Sequence, residues 1–407
     1  MLIKEIPQYG FKYVLRAPKG GPLPAGFSVE VARRVERFHR QLPGYRPTDL
    51  LRWSRLARDW SIKEIFIKDE STRFNLKAFK VLGSSYAVAR VMAKRLGVNL
   101  EHTDFTGLAG AEARKDIGNV ILATATDGNH GRGVAWAAEQ LQQNAVVYMP
   151  KGAVPSRVEN IRSHGATVIV TDFNYDDTVR LCRRTAGEKG WVVIQDTAWE
   201  GYTEIPLWIM QGYMTMCVEA VDRMSQTGLR PTHVLVQVGV GSLAGAVVGY
   251  LLNRFSDNPP RFITIEPNTA ACILASAAAD DGRPHAVTGD LKTIMAGLAC
   301  GEPNPIGWEI LRDFCSCYLS CEDFVAANGV RILANPLKGD ACVEAGESGA
   351  VGLGVLDLLC NNEKFGELKQ DLAIGPDSTL LFFNTEGATD PENYREIVWH
   401  GKYPAPN

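Results

Sequence analysis

Residues 68–83 read Lys-Asp-Glu-Ser-Thr-Arg-Phe-Asn-Leu-Lys-Ala-Phe-Lys-Val-Leu-Gly, and the fold turns on how they are read. The block leaves a short apolar run, Glu64–Lys68, and sets Lys80 behind Phe79 and ahead of Gly83 at a loop-to-helix junction. A lysine held in an apolar wall is desolvated, which lowers its pKa and exposes a neutral, nucleophilic amine. Alone, Lys80 reads more simply as a helix-surface lysine. Its neighbours change that reading.

Working outward, strand-like apolar runs recur at Val120–Thr124, Ala145–Met149, Thr167–Val170, Val192–Gln195, His233–Val238, Phe262–Glu266 and Leu380–Asn384. Segments between them, such as Gly131–Gln142 and Pro155–His164, space their apolar residues as helices do. This alternation predicts α/β architecture with mostly parallel sheets. A length of 407 residues suggests two or three domains. Arg283–Asp290 and Asn361–Lys369 read as polar surface connections, and Tyr403–Asn407 as a loose tail.

Hydrophobic content of 45% and charged content of 22% suit a globular chain with a sizeable core. A net charge of −3 without a basic run argues against nucleic acid as a partner. The start, Met-Leu-Ile-Lys-Glu-Ile-Pro, has neither the apolar core nor the cleavage site of a signal peptide. Val234–Leu252 is apolar enough to suggest a membrane span. Its β-branched start and Gly239, Gly241, Gly245 and Gly249 fit a buried strand, a turn and a packed helix better. The expectation is a cytoplasmic protein without a membrane partner. Nine cysteines form no disulfide framework, and Cys315, Cys317 and Cys321 lack the partners that would complete a zinc site, so reduced thiols and no metal are expected. Cys272 and Cys300 bracket an insertion near the candidate site, and spacing does not decide whether they pair.

Three further motifs carry chemistry. Thr124-Ala-Thr-Asp-Gly-Asn-His-Gly-Arg-Gly-Val-Ala135 follows a strand, and Gly128, Gly131 and Gly133 let its backbone approach a planar ligand closely. Asp127 reads equally as a helix cap. Gly239-Val-Gly-Ser-Leu-Ala-Gly245 sits between a β-branched strand and a helix, where backbone N–H groups of Gly239, Val240, Gly241, Ser242 and Leu243 can cradle a phosphate. The same turn, with Glu266 ending a later strand, also fits a nicotinamide-dependent oxidoreductase. Near the C-terminus, Asn384-Thr-Glu-Gly-Ala-Thr-Asp390 follows the strand Leu380–Phe383.

The Lys80 block, with Arg73, Asn75, Phe79 and Gly83 in place, resembles the cofactor-lysine motif of fold-type II pyridoxal-phosphate enzymes, the group of threonine dehydratase, cysteine synthase and the tryptophan synthase β subunit. The resemblance implies pyridoxal 5′-phosphate attached to Lys80, its ring hydroxyl facing Asn129 and its pyridine nitrogen facing Thr385, with Thr389 and Glu386 as alternatives. It also implies a smaller α/β domain, 84–197, inserted into a larger discontinuous domain, 1–83 and 198–407. Ala345-Gly-Glu-Ser-Gly-Ala-Val351 resembles the group's glycine segment near the ring, which places Glu347 close to the site. His130 is given no catalytic role.

Serine and threonine dehydratases carry serine where this chain has Asp127. A carboxylate there calls for a cation to meet or a proton to move. Asp196, in Gln195-Asp-Thr-Ala-Trp-Glu-Gly-Tyr202, is a second candidate, read alternatively as a cap or hinge. These segments, with Met295-Ala-Gly-Leu-Ala-Cys-Gly-Glu-Pro303, resemble the diaminopropionate ammonia-lyase family over residues 40–403. That resemblance implies a homodimer that eliminates ammonia from a small amino acid, 2,3-diaminopropionate in both enantiomers, giving pyruvate and two ammonia. Lys80 and Asp127 are then the candidate bases, and Asp127 and Asp196 the substrate-binding carboxylates. Serine/threonine dehydratase is the alternative within the group.

Overall fold

A computed structural model describes residues 2–406, in which twelve strands form two sheets. The strands are β1 (Lys4–Ile6), β2 (Phe11–Leu15), β3 (Leu50–Arg52), β4 (Glu64–Asp69), β5 (Ile121–Ala125), β6 (Asn144–Met149), β7 (Thr167–Val170), β8 (Val192–Val193), β9 (His233–Gln237), β10 (Arg261–Pro267), β11 (Cys317–Cys321) and β12 (Thr379–Asn384). The larger sheet runs β1-β2-β11-β10-β9-β12-β4-β3, and the smaller β7-β6-β5-β8, all of it from residues 121–193.

The smaller sheet is parallel throughout, as are β11-β10-β9-β12-β4 at the centre of the larger one. β9 and β12 are buried along their whole length, which is why their sequences are unbroken apolar runs rather than alternating ones. β12 lies between β9 and β4 with Leu381 opposite Val234 on one side and Phe66 on the other. That register brings the carboxyl ends of β4, β9 and β12 to one edge, where ligands of open α/β sheets bind.

The helix Lys80–Leu96 crosses the helix Glu204–Ser225 at a contact only glycine permits. A Cβ on Gly83 would sit 2.5 Å from the Tyr213 ring, and one on Gly212 would sit 2.4 Å from the Leu82 carbonyl oxygen. The apolar segment 234–252 is β9, a turn and the helix Ser242–Arg254, and among the described residues no helix is long and apolar enough to cross a membrane.

Three expectations are corrected. The strands β1, β2, β3 and β11 were not read from the sequence, because three lie toward the sheet's edges and β11 shows itself first as a cysteine cluster. Asn361–Lys369 is not a polar connection: it ends one helix and begins another, and Phe365 and Leu368 are fully buried. The tail is anchored at its start, where Arg331 donates to the carbonyl oxygens of Lys402 and Tyr403, at 3.0 and 3.1 Å. Residue 407 lies outside the described residues.

Candidate active site

Lys80 opens its helix directly after a stretch with unusual backbone, since Phe74, Asn75 and Lys77 have φ of 49°, 58° and 57°. Left-handed conformations cost energy for residues with a Cβ and persist only where the surroundings enforce them. Beneath them lies a buried, charge-balanced cluster. Arg73 donates to Glu70 at 2.7 Å and to Glu219 at 2.7 and 2.9 Å, and Lys68 donates to Glu219 at 2.5 Å. Just ahead of Lys80, the Phe79 N–H bonds the Thr385 carbonyl oxygen at 3.0 Å, tying the lysine's approach to the end of β12.

The Lys80 ammonium lies 5.5 Å from the Phe79 ring centre and 5.9 Å from that of Tyr213, and it hydrogen-bonds Asp196. Burial alone would push its pKa down, but the Asp196 charge and the Tyr213 phenol hold it above the ordinary lysine value. The depressed pKa expected from an apolar wall is therefore not found in this state, because a buried carboxylate was placed beside the amine. Asp196 follows β8 and caps no helix. Burial opposes its charge, yet His130 and Lys80 together keep its carboxyl well below the usual range.

Asp127 sits in the turn after β5, where Thr126 Oγ1 accepts from the N–H groups of Gly128 and Gly131 at 2.9 and 3.1 Å. That Thr126 bond serves the first turn of the helix Asn129–Gln140, whose N-cap residue is Gly128, so Asp127 is free of the capping role. Burial raises the Asp127 pKa, against the pull of Arg157 and Lys80. Asn129 donates to Glu386, and the Nε2 of His130 bonds the Ile194 carbonyl oxygen at 2.8 Å, a structural tie.

On the facing wall the turn after β9 enters the helix Ser242–Arg254 through Gly241, whose φ is 103°. The first N–H groups of a helix lack intrahelical acceptors and carry its positive dipole end, which suits an anion. The Ser242 hydroxyl is committed elsewhere, donating to the Asp196 carbonyl oxygen at 2.5 Å and accepting from Asn304 at 2.7 Å. A Cβ on Gly241 would face Ile273 and Leu311 at 3.5 and 3.6 Å, so glycine is required there by φ, not by space for a ligand. Glu266 does not serve the turn. Its oxygens accept from the N–H groups of Ile273 and Leu274 at 2.8 and 2.7 Å, and burial raises its pKa to about 8, so it offers nothing to a ribose.

Thr385 closes the cavity beneath β12, with its Oγ1 accepting from Gln237 at 2.9 Å. Lys80, Asp127, Asn129, Asp196, the 239–243 turn and Thr385 thus line one cavity. Glu347 is buried nearby, bonded by Asn393 at 2.5 Å, and burial raises its pKa to about 7. Sequence reasoning missed Gln237, Tyr175 and Arg157. Gln237 is a polar residue ending an otherwise largely apolar strand, a signal that was available. The Tyr175 hydroxyl lies 3.4 Å from Asp196, and no motif announced it. Cys300 also lines the cavity and Cys272 lies behind it; both are free thiols, as are Cys315, Cys317 and Cys321. A flat ring with an anionic tail and an aldehyde fits this set: N–H groups at one end, a lysine at the other, and a hydroxyl and an amide at the rim. Ser348 Oγ is buried there without a protein partner, as expected of a group facing a polar guest.

The family model described as "Pyridoxal-phosphate dependent enzyme" matches residues 41–377. The chain is 51% identical to the diaminopropionate ammonia-lyase of Salmonella typhimurium, covering 91% of this chain and 93% of that one. The holo crystal structure of the Escherichia coli diaminopropionate ammonia-lyase is similar with a TM-score of 0.92 at 48% identity, over 97% of this chain and 98% of that one. The same enzyme in complex with D-serine is similar with a TM-score of 0.90 at 48% identity, over 97% and 99%.

Proposed function

Because this chain belongs to the pyridoxal-phosphate dependent enzymes and, within them, to the diaminopropionate ammonia-lyases, we propose that it eliminates ammonia from both D- and L-2,3-diaminopropionate, giving pyruvate and two ammonia. The observation that carries this reading is the pair of carboxylates, Asp196 buried and Asp127 partly buried, that share one cavity with Lys80. A hydroxy amino acid would bring no cation to them; a second amino group does.

Pyridoxal 5′-phosphate, when bound, supplies the electron sink that makes a Cα proton removable. Lys80 carries it, the backbone N–H groups of Gly239, Val240, Gly241, Ser242 and Leu243 hold its phosphate, Asn129 meets its ring hydroxyl and Thr385 its ring nitrogen. Asp196 now neutralises the Lys80 ammonium. Once the lysine's charge is gone, the substrate's β-ammonium takes that place, which fixes the leaving group against the carboxylate. Lys80 receives the Cα proton of the L-isomer and Asp127 that of the D-isomer. The electrons of the Cα–H bond become the Cα=Cβ bond, the Cβ–N bond breaks and its pair leaves with ammonia. The unsaturated amine released then hydrolyses to pyruvate and the second ammonia. A homodimer in the cytoplasm, with residues 84–197 as a domain inserted between 1–83 and 198–407, completes the proposal, and sedimentation tests the dimer.

The deciding experiment measures kcat/KM for both enantiomers in Asp127→Asn, which keeps size but removes basicity. D-turnover should fall by roughly 10²- to 10⁴-fold, the usual worth of a general base, and L-turnover by less. Equal losses would reduce Asp127 to recognition of the β-ammonium. Serine or threonine as the better substrate of the wild type would favour the dehydratase alternative.

A further inference from the structure

Arg157 belongs to none of the motifs above, yet its side chain is only 7% exposed and lies behind Asp127. Its helix, Pro155–Arg162, follows β6 of the smaller sheet, while Glu347, Glu386, Thr389 and Asp390 approach it from the larger one. One guanidinium nitrogen, Nη1, stands 3.5 Å from Asp127 Oδ2, and Nη2 donates to Thr389 Oγ1 at 3.3 Å. Oδ2 itself is buried and accepts no hydrogen bond. The contact is therefore one of charge without a shared proton. The remaining exposure of the Asp127 side chain, 22%, falls on atoms other than Oδ2, which leaves Oδ1 toward the cavity.

We propose that Arg157 is a positioning residue that keeps Asp127 ionised with one oxygen free to take a proton. A hydrogen-bonded partner would occupy the lone pairs a base needs, and no partner at all would leave a buried carboxyl to hold its proton. The 3.5 Å contact meets both demands. Burial and the charges of Glu386 and Asp196 oppose ionisation of Asp127, while Arg157 and Lys80 favour it. Tyr175, Cys300 and His130 also face it from neighbouring elements. Of the two cations, Lys80 would be engaged in holding the cofactor, so Arg157 is the one whose charge does not change with the reaction. Thr389 accepts one nitrogen of the fork, which links the aim of the guanidinium to the position of the C-terminal segment.

This inference rests on Asp127 being the base for the D-isomer, and the test separates the two. In Arg157→Gln holoenzyme, the acid limb of the D-isomer kcat/KM profile should move by one pH unit or more to higher pH, while the limb for the L-isomer, which depends on Lys80, moves much less. Arg157→Lys should restore part of the shift. Carbon-13 titration of the Asp127 carboxyl in labelled protein reads the same pKa without turnover, and should rise in Arg157→Gln. An unchanged carboxyl titration, or coincident D-profiles in all three proteins, overturns the role of Arg157 even if Asp127→Asn abolishes D-turnover. If instead the carboxyl titration shifts but Asp127→Asn spares the D-isomer, Arg157 holds the charge of a group that is not the base, and the base assignment is what fails.

Discussion

Gln237 Nε2 donates to Thr385 Oγ1 at 2.9 Å and to the Phe383 carbonyl oxygen at 2.9 Å. Because the carbonyl can only accept, the amide must present its NH2 to both, and the Thr385 hydroxyl is left to donate its own proton into the cavity. A donor at that place suits an unprotonated ring nitrogen. Thr385→Val should therefore weaken cofactor binding and lower turnover. Gln237→Glu should do the same without touching the ring, since a carboxylate there would claim the hydroxyl's proton. Cofactor titrations of both variants check this, and a Gln237→Glu enzyme with wild-type affinity and rate would refute the donor assignment.

The Lys80–Asp196 pair has a stability signature in cofactor-free protein. The Lys80 pKa is raised on folding, so its contribution is full below the ordinary value of 10.5 and is lost as pH climbs through the raised one. The Asp196 pKa is depressed, so its contribution is present above 3.8 and is lost as pH falls through the folded value. Asp196→Asn leaves the ammonium buried alone and should cost about 3–5 kcal/mol near neutrality, less whatever Lys80 recovers by releasing its proton. Urea unfolding across pH 2–10 should show a lower plateau in the variant and a weaker fall below pH 3.8; parallel curves of equal height would contradict the pairing.

Glu219→Gln should damage the site from a distance. It removes one of two carboxylates that balance Lys68 and Arg73, with a cost of about 3–5 kcal/mol for an uncompensated buried charge. The left-handed stretch at Phe74, Asn75 and Lys77 is expected to loosen as well. Calorimetry should give a lower Tm, and hydrogen exchange should be faster in residues 72–80. Loss of stability with unchanged exchange there would separate the cluster from the loop.

Gly241→Ala tests the turn. The added methyl meets only ordinary contacts, so the penalty is the backbone strain of φ near 103°, about 1–3 kcal/mol. Relief of that strain rotates the N–H groups of the turn, and cofactor affinity should fall tenfold or more in a protein that still folds. Unchanged affinity would remove the turn from phosphate binding.

Much of this was legible in the chain because central parallel strands bury both faces, and continuous apolar runs are easy to see. β9, β10 and β12 appear at nearly their true bounds for that reason. β3, three residues long, and β11, masked by its cysteines, carry no such signal. Within the site, Lys80, Asp127 and the glycine turn are local patterns. The closeness of Asp196 to Lys80 is not local, since 116 residues separate them, and neither is the cation behind Asp127. Chemistry that depends on which charge ends up beside which is written in the packing, so the lysine's raised pKa was out of reach from sequence.

The place of β12 governs when this protein can become an enzyme. Thr379–Asn384 fills a slot between β9 and β4, which precede it by 147 and 315 residues at the first register pairs, Leu380 with His233 and Thr379 with Glu64. Until that slot is filled the larger sheet is split, with two unsatisfied inner edges that invite association with other chains. Thr385 and the carbonyl that steadies the approach to Lys80 arrive with the same strand. A nascent chain ending before residue 379 would therefore hold a lysine, a glycine turn and two carboxylates without a closed cavity. Assembly of the catalytic centre thus waits on residues 379–385, and quality control that depends on cofactor capture would read the completion of the sheet.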